Sequence, residues 1–178
     1  AQELLRRGIP TPEPVAWLEH PARPHAHESY YLCAAFAGGT SARQAFYAVN
    51  GGAAEFLGEP VAGLFRQIAE LLARMHGRGV FYRDLSAGNL LLRRGADGNL
   101  EFALIDTGRA RIGVKGLGIR PRLADLMRLC HPLAWRGREQ FLRAYFLAAN
   151  IRFAGWMRLA FHYYDWKHRL KKWLRPWR

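Results

Sequence analysis

Asp84, Asn89 and Asp106 are the residues of this chain whose types and spacing could do chemistry. They stand in Tyr82-Arg83-Asp84-Leu85-Ser86-Ala87-Gly88-Asn89-Leu90-Leu91-Leu92 and in Leu104-Ile105-Asp106-Thr107-Gly108. Asn89 follows the first Asp by five residues, and the second Asp lies seventeen further on. Each sits on a loop beside a short apolar run. Phosphoryl transfer from a magnesium nucleotide needs such a set. One carboxylate orients the attacking hydroxyl and takes its proton. A carboxamide and a second carboxylate hold the metal that neutralises charge developing on the phosphates. Their oxygens are hard ligands, which suit Mg²⁺.

The elements around these loops follow from pattern. Val61, Leu64, Phe65, Ile68, Leu71, Leu72 and Met75 recur at helical spacing, so the stretch from about 60 to 76 reads as an amphipathic helix. Gly77 and Gly79 supply its stop signals. Gly79-Val80-Phe81 then leads into the Asp84 loop. Leu90-Leu91-Leu92 and Phe102-Ala103-Leu104-Ile105 read as two buried strands joined by the turn at residues 95–99. Upstream, Pro10, Pro12, Pro14, Pro21 and Pro24 exclude helix from residues 9–28. Ser29 to Phe36 is a strand by its aromatic content. Gly38-Gly39 turns the chain, and Ser41 is placed to cap a helix over 42–49. Residues 1–8 read as the end of a helix, and further helices are expected over 121–132, 137–149 and much of 152–174.

Met75-His76-Gly77-Arg78-Gly79-Val80-Phe81-Tyr82-Arg83-Asp84-Leu85, with Asn89 and Asp106, resembles the catalytic segment of the protein-kinase superfamily. Three further stretches resemble one branch, the bacterial lipopolysaccharide kinases, which include Kdo and heptose kinases. They are Gly8 to Ala16, the metal loop Ile105-Asp106-Thr107-Gly108-Arg109-Ala110-Arg111, and Arg122 to Leu129 followed by Phe141 to Tyr145. The likeness runs from residue 1 to about residue 150. It implies an α+β, protein-kinase-like fold, mostly the helical C-lobe plus the tail end of the N-lobe. The expected division is an N-lobe remnant over 1–37, a C-lobe over 38–150 and a basic, aromatic helix or tail over 151–178.

The resemblance also implies roles. Asp84 is the catalytic carboxylate, with Arg83 bracing its loop or the metal segment. Asn89 and Asp106 are the Mg²⁺ ligands. Ala35, Phe36 and Ala37 present hinge backbone to the adenine of ATP. Asp125 braces the catalytic loop by accepting backbone N–H bonds. Gly108 is expected to permit a positive-φ turn. Arg109 and Arg111 are open between acceptor phosphates and a structural ion pair. The implied activity is ATP-dependent phosphorylation of a sugar hydroxyl of the lipopolysaccharide core, at the cytoplasmic side of the inner membrane. Two alternatives stay open: a kinase for another small hydroxylated acceptor, and a non-catalytic module on an anionic surface.

Departures from the pattern matter too. Tyr82 stands where kinases usually carry His, as a packing residue of the loop. Thr107 replaces Phe in the metal loop. No Gly-x-Gly-x-x-Gly segment occurs, and the four lysines, at 115, 167, 171 and 172, lie far from any nucleotide-clamping strand. Glu3 is the only acidic residue near the helix that should pair with such a lysine. The chain therefore reads as a fragment whose nucleotide-clamping strands lie elsewhere.

Composition supports a folded domain. Half of the 178 residues are hydrophobic and 23% are charged, which excludes a disordered tail. No run of 18 apolar residues spans a membrane. Cys33 and Cys130 lack metal-ligand spacing and read as buried thiols. The seven histidines, including His25 and His27, lack the company of a metal site and read as surface or packing residues.

Charge is the last signal. The net charge is +13, and 23 of the 27 basic residues are arginine, the better partner for phosphate. Basic residues interleave with Trp from Trp166 to Arg178. Cations meet anionic headgroups at ~1 kcal/mol each, and indoles settle at the polar–apolar boundary. A solvated basic tail or a nucleic-acid contact has the same composition. An anionic membrane surface is the partner expected here, and no nucleic acid.

Overall fold

The computed structural model describes residues 1–19 and 29–174. His25, His27, Pro21, Pro24 and the last four residues of the expected tail lie outside the described residues. Helix α1 (Gln2–Arg6) leads through residues 9–12 into β1 (Pro14–Glu19), which pairs antiparallel with β2 (Ser29–Cys33). The second strand is shorter than expected and ends at Cys33, before the turn at Gly38. Then follow β3 (Thr40–Ser41), α2 (Ala42–Asn50), the small hairpin β4 (Glu55–Phe56) and β5 (Glu59–Pro60), and α3 (Val61–Gly77). Ser41 caps α2 in a reciprocal box with Gln44, whose Oε1 accepts the Ser41 N–H at 3.2 Å.

The second half of the chain begins with β6 (Val80–Phe81) and continues through β7 (Leu90–Arg94) and β8 (Leu100–Leu104). A 3₁₀ turn over Thr107–Arg109 and the two-residue β9 (Arg111–Ile112) follow. Helices α4 (Ile119–Cys130), α5 (Trp135–Ala148) and α6 (Gly155–Leu174) complete the chain. The main sheet runs β3-β7-β8, all antiparallel, with Leu90 opposite Leu104. The sequence did not announce β6 and β9 as strands. Their pairing, Val80 with Ile112 and Phe81 with Arg111, returns the exit of the metal loop to the entrance of the catalytic loop.

The core sits where α3 packs along α5. Leu64, Phe65, Ile68, Leu71, Leu72 and Met75 of α3 are buried, as the periodicity requires. Phe65 meets Phe46 of α2 and Phe141 of α5 with ring centroids 6.1 and 5.6 Å apart, near edge-to-face. Truncating one of these rings to Ala costs about 3–5 kcal/mol, from lost transfer energy and the void left behind. Met157 and Phe161 are also buried, so α6 is packed on the core and is not a detached tail.

Two positions need special backbone. Gly79 has φ +77°, and a Cβ there would lie 2.6 Å from the carbonyl oxygens of Gly113 and Lys115. Only glycine lets β6 and the segment after β9 approach so closely. The N-terminal segment is tied to the same region. Thr11 Oγ1 donates to the Leu104 carbonyl at 2.7 Å, and the Leu104 N–H donates to Pro10 at 2.9 Å. Residues 9–12 are thereby clipped to the end of β8, two residues before Asp106.

Candidate active site

The Asp84 loop is held from beneath by α4. Asp125, fully buried, accepts the Tyr82 N–H on Oδ2 at 2.8 Å and the Arg83 N–H on Oδ1 at 2.9 Å. This is the bracing role expected of it. Arg83 takes a left-handed φ of +73°, a conformation that a non-glycine residue holds only when its surroundings insist. The two charge-assisted bonds from Asp125 supply that insistence, at about 1.5–3 kcal/mol each. Arg83 therefore serves through its backbone; its guanidinium makes no hydrogen bond or ion pair among the described residues.

Behind Asp125 lies a polar group that the sequence did not disclose as a unit. His76 Nε2 is 3.5 Å from Asp125 Oδ2, and His76 Nδ1 is 2.7 Å from the Tyr145 hydroxyl. Arg122 Nη1 donates to that same hydroxyl at 3.1 Å. Burial holds the His76 imidazole below its ordinary pKa, against the pull of Asp125 in the other direction. The ring is therefore neutral at neutral pH and serves as a packing residue, as expected.

Within the loop, Asn89 Nδ2 donates to the Asp84 carbonyl at 3.0 Å. That bond points the carboxamide and leaves Oδ1 for a cation. The Asn89 carbonyl in turn accepts the Ile105 N–H at 3.0 Å, so the asparagine is fastened to the residue before Asp106. The Tyr82 hydroxyl donates to the Ile105 carbonyl. Tyr82, not Arg83, is thus the side chain that ties the catalytic loop to the metal segment. Its phenol is pushed up in pKa by burial, then by the nearby carboxylates of Asp106, Asp125 and Asp84, which keeps it a donor.

Asp106 itself has φ +58° and stands at the position just before the 3₁₀ turn. The left-handed position of the metal loop is therefore Asp106 and not Gly108, which does not adopt positive φ. An Asp tolerates this conformation better than most residues because its side chain is short and polar. The turn brings Arg109 back onto the catalytic loop, with Nη1 2.8 Å from Asp84 Oδ2. Of the two readings left open for Arg109, the ion pair is the one observed, and its partner is Asp84. Glu3 pairs with Arg7 at 2.8 Å and with Arg6 at 3.8 Å. Cys33 is exposed and Cys130 buried, and both are free, so only Cys130 fits the expected buried thiol.

Two cavities flank this group. A cleft of about 750 Å³ is lined by Asp84, Ser86 and Asn89 with residues of α2, α4 and α6. A second cavity of about 520 Å³ is lined by Asp106, Thr107 and Gly108 together with Leu4, Tyr31 and Cys33. Asp84 and Asp106 thus face different spaces, joined through Asn89. Residues 35–37 run from β2 toward the turn at Gly38. The Ala37 carbonyl accepts Arg93 Nη1 at 2.9 Å, and the same guanidinium lies 4.5 Å from the Phe36 ring centroid.

Among the described residues, no group of three or more His, Cys, Asp or Glu is placed to cage a metal. The donor set fits Mg²⁺ held jointly with phosphate oxygens, which needs only one or two protein oxygens. Asn89 Oδ1 and the exposed Asp106 carboxylate would supply them.

Comparison with known proteins agrees with this architecture. A solved structure described as WaaP in complex with acyl carrier protein superposes with a TM-score of 0.63 at 23% identity, covering 92% of this chain and 73% of that one. A Rio2 kinase from Chaetomium thermophilum, solved with ADP, Mg²⁺ and phosphoaspartate, aligns at 16% identity with a TM-score of 0.47, covering 96% of this chain and 52% of that one. No curated protein matches the sequence. The sequence profile of the lipopolysaccharide kinase (Kdo/WaaP) family matches residues 1–145, and the chain belongs to that family.

Proposed function

We propose that this chain carries the catalytic half of an ATP-dependent kinase acting on a sugar hydroxyl of the lipopolysaccharide core, on Kdo or a heptose. One observation carries the reading: Asp84 opens into a cleft while Asn89 is tied across to the Asp106 segment on the other side. That is the division a transfer between two substrates needs. Asp84 orients the acceptor hydroxyl and takes its proton as the new O–P bond forms. The bond from the γ-phosphorus to the ADP oxygen breaks, and ADP leaves with that electron pair. Asn89 and Asp106 would hold Mg²⁺, which when bound neutralises charge on the phosphates. Adenine would lie against the backbone of residues 35–37.

The acceptor implies a lipid surface, and α6 carries a face suited to one. Trp156, Leu159, Tyr163, Trp166, Leu170 and Trp173 recur at alternating steps of three and four residues, and each is more than a third exposed. This apolar stripe lies within the expected basic, aromatic segment and starts ten residues before its Trp- and Lys/Arg-rich run at Trp166. Arg158, Lys167, Arg169 and Lys171 flank it. No helix of the described residues is long and apolar enough to cross a membrane. A stripe of indoles edged by cations fits a helix lying on an anionic bilayer, at the cytoplasmic side of the inner membrane.

The test is transfer of label from [γ-³²P]ATP with Mg²⁺ into rough-type lipopolysaccharide. Label in the lipid supports the assignment. ATP binding with label only in small hydroxylated acceptors would move it to another acceptor class. No nucleotide binding would favour the non-catalytic module.

A further inference from the structure

Helix α3 and the C-terminal end of α5 line a third cavity of about 640 Å³, which shares no residue with the Asp84 cleft or the Asp106 cavity. From α3 come Arg66, Glu70 and Arg74, on successive turns of one helix face. Glu70 is the only acidic side chain in the lining, and Arg66 holds it at 3.2 Å. Arg74 makes no hydrogen bond or ion pair through its side chain among the described residues. Arg122 of α4 is the buried cation of the site, 8% exposed. Its Nε donates to the Leu117 carbonyl at 2.8 Å and its Nη1 to the Tyr145 hydroxyl at 3.1 Å. Nη2 has no partner among the described residues and is not sealed from solvent, so it opens into the cavity. The opposite wall is apolar. Ala144, Leu147 and Ala148 of α5 form it, and Leu147 is 84% exposed. A small inorganic anion would answer the arginines and leave this wall wet. A neutral apolar molecule would cover the wall and leave the guanidinium donors unanswered. A ligand that carries both parts satisfies both walls, and the volume admits one with a chain of moderate length.

Arg122 also ends a buried chain of polar contacts. The Tyr145 hydroxyl that it holds lies 2.7 Å from His76 Nδ1, and His76 Nε2 lies 3.5 Å from Asp125 Oδ2. Asp125 in turn accepts the Tyr82 and Arg83 amides. Arg122, Tyr145, His76 and Asp125 are all buried, so water cannot take the place of a link that moves. His76 Nε2 has no hydrogen-bond partner among the described residues. Its distance to Asp125 is just beyond hydrogen-bond length, so a shift of about 0.3 Å closes that contact. We propose that the α3–α5 cavity binds an anionic amphiphile, a carboxylate or phosphate on an apolar chain, and that a headgroup on Arg122 is felt at the Asp84 loop through Tyr145, His76 and Asp125. This site goes beyond the kinase reading and does not depend on it.

The test is calorimetric titration of the chain with octyl phosphate, octanoate, 1-octanol and inorganic phosphate, each amphiphile below its micelle-forming concentration. Backbone amide resonances are recorded in parallel. Octyl phosphate or octanoate should bind at least about tenfold tighter than octanol or inorganic phosphate. The tighter of the two identifies the headgroup. Arg74→Ala should weaken that binding about tenfold, and Ala148→Trp, which fills the cavity from an exposed position, should abolish it. Binding should shift the amides of Tyr82 and Arg83. Tyr145→Phe, which cuts the chain between cavity and loop, should still bind the amphiphile and lose those shifts. Equal binding of octanol, equal binding of inorganic phosphate, or amphiphile binding that survives both Arg74→Ala and Ala148→Trp would overturn the site; the last would place the ligand elsewhere, as on the exposed stripe of α6. Unmoved Tyr82 and Arg83 amides in the wild type, or shifts that persist in Tyr145→Phe, would overturn the coupling. None of these readouts uses phosphate transfer, so a chain that transfers to no acceptor sinks the kinase reading and leaves this test standing.

Discussion

Asp125 holds the backbone of Arg83: its Oδ1 accepts the Arg83 N–H at 2.9 Å, and that residue sits at a φ of +73°. A carboxylate on α4 therefore fixes the turn that aims Asp84, although 42 residues separate the partners. The geometry of the proposed catalytic loop is in this way made dependent on the packing of α4.

Asp125→Asn is the direct check of that dependence. The carboxamide keeps the shape but can accept with only one of its two heads, so one of the two buried N–H groups is left unpaired. The expected loss is about 2–3 kcal/mol in chemical denaturation, with activity falling further than stability as the loop loses its register. Unchanged stability and activity would mean that the left-handed turn holds itself.

The pH dependence of stability follows from His76. Its folded pKa is held below the ordinary value of about 6.5 by burial. The unfolded chain therefore takes up a proton that the folded chain refuses. Stability from this group is fully present above about pH 6.5 and is lost as pH falls below it. The midpoint of thermal unfolding should drop from pH 7 to pH 5, and His76→Gln should flatten that slope. The same slope in both proteins would assign the effect to other groups.

The stripe on α6 makes a separate prediction. Replacing Tyr163, Trp166 and Leu170 by Ser should leave the unfolding midpoint within a degree or so, since all three are exposed. Sedimentation with vesicles containing phosphatidylglycerol should show binding weakened at least about tenfold, from the apolar area no longer buried in the interface. Unchanged vesicle binding would remove the lipid-surface reading.

What the sequence disclosed, and what it did not, has a physical pattern. Helix α3 was legible because its apolar residues repeat at 3.6, and Asp84, Asn89 and Asp106 stood out as candidates because of their types and spacing. Asp125 was legible as a brace only through the family pattern. The contacts of His76, Arg122 and Tyr145 were not, since three residues on three helices meet only after packing. Strands β6 and β9 are two residues each and carry no period. The left-handed residue of the loop fell on Asp106 while Gly108 suggested itself. Arg109 pairing with Asp84 depends on one short turn that no spacing rule encodes. The sequence showed basic residues interleaved with Trp from Trp166 on, but the stripe from Trp156 along α6 and its exposure emerged only with the structure.

The measurement that tests the central claim most directly is single-turnover phosphate transfer by wild type, Asp84→Asn and Asp106→Asn side by side, with unfolding midpoints recorded for all three. Both side chains are at least partly open to solvent, so the folds should survive. Transfer should fall by at least about a thousandfold in each variant, because one loses the proton acceptor and the other a metal oxygen. Transfer at wild-type rates in both would contradict the account.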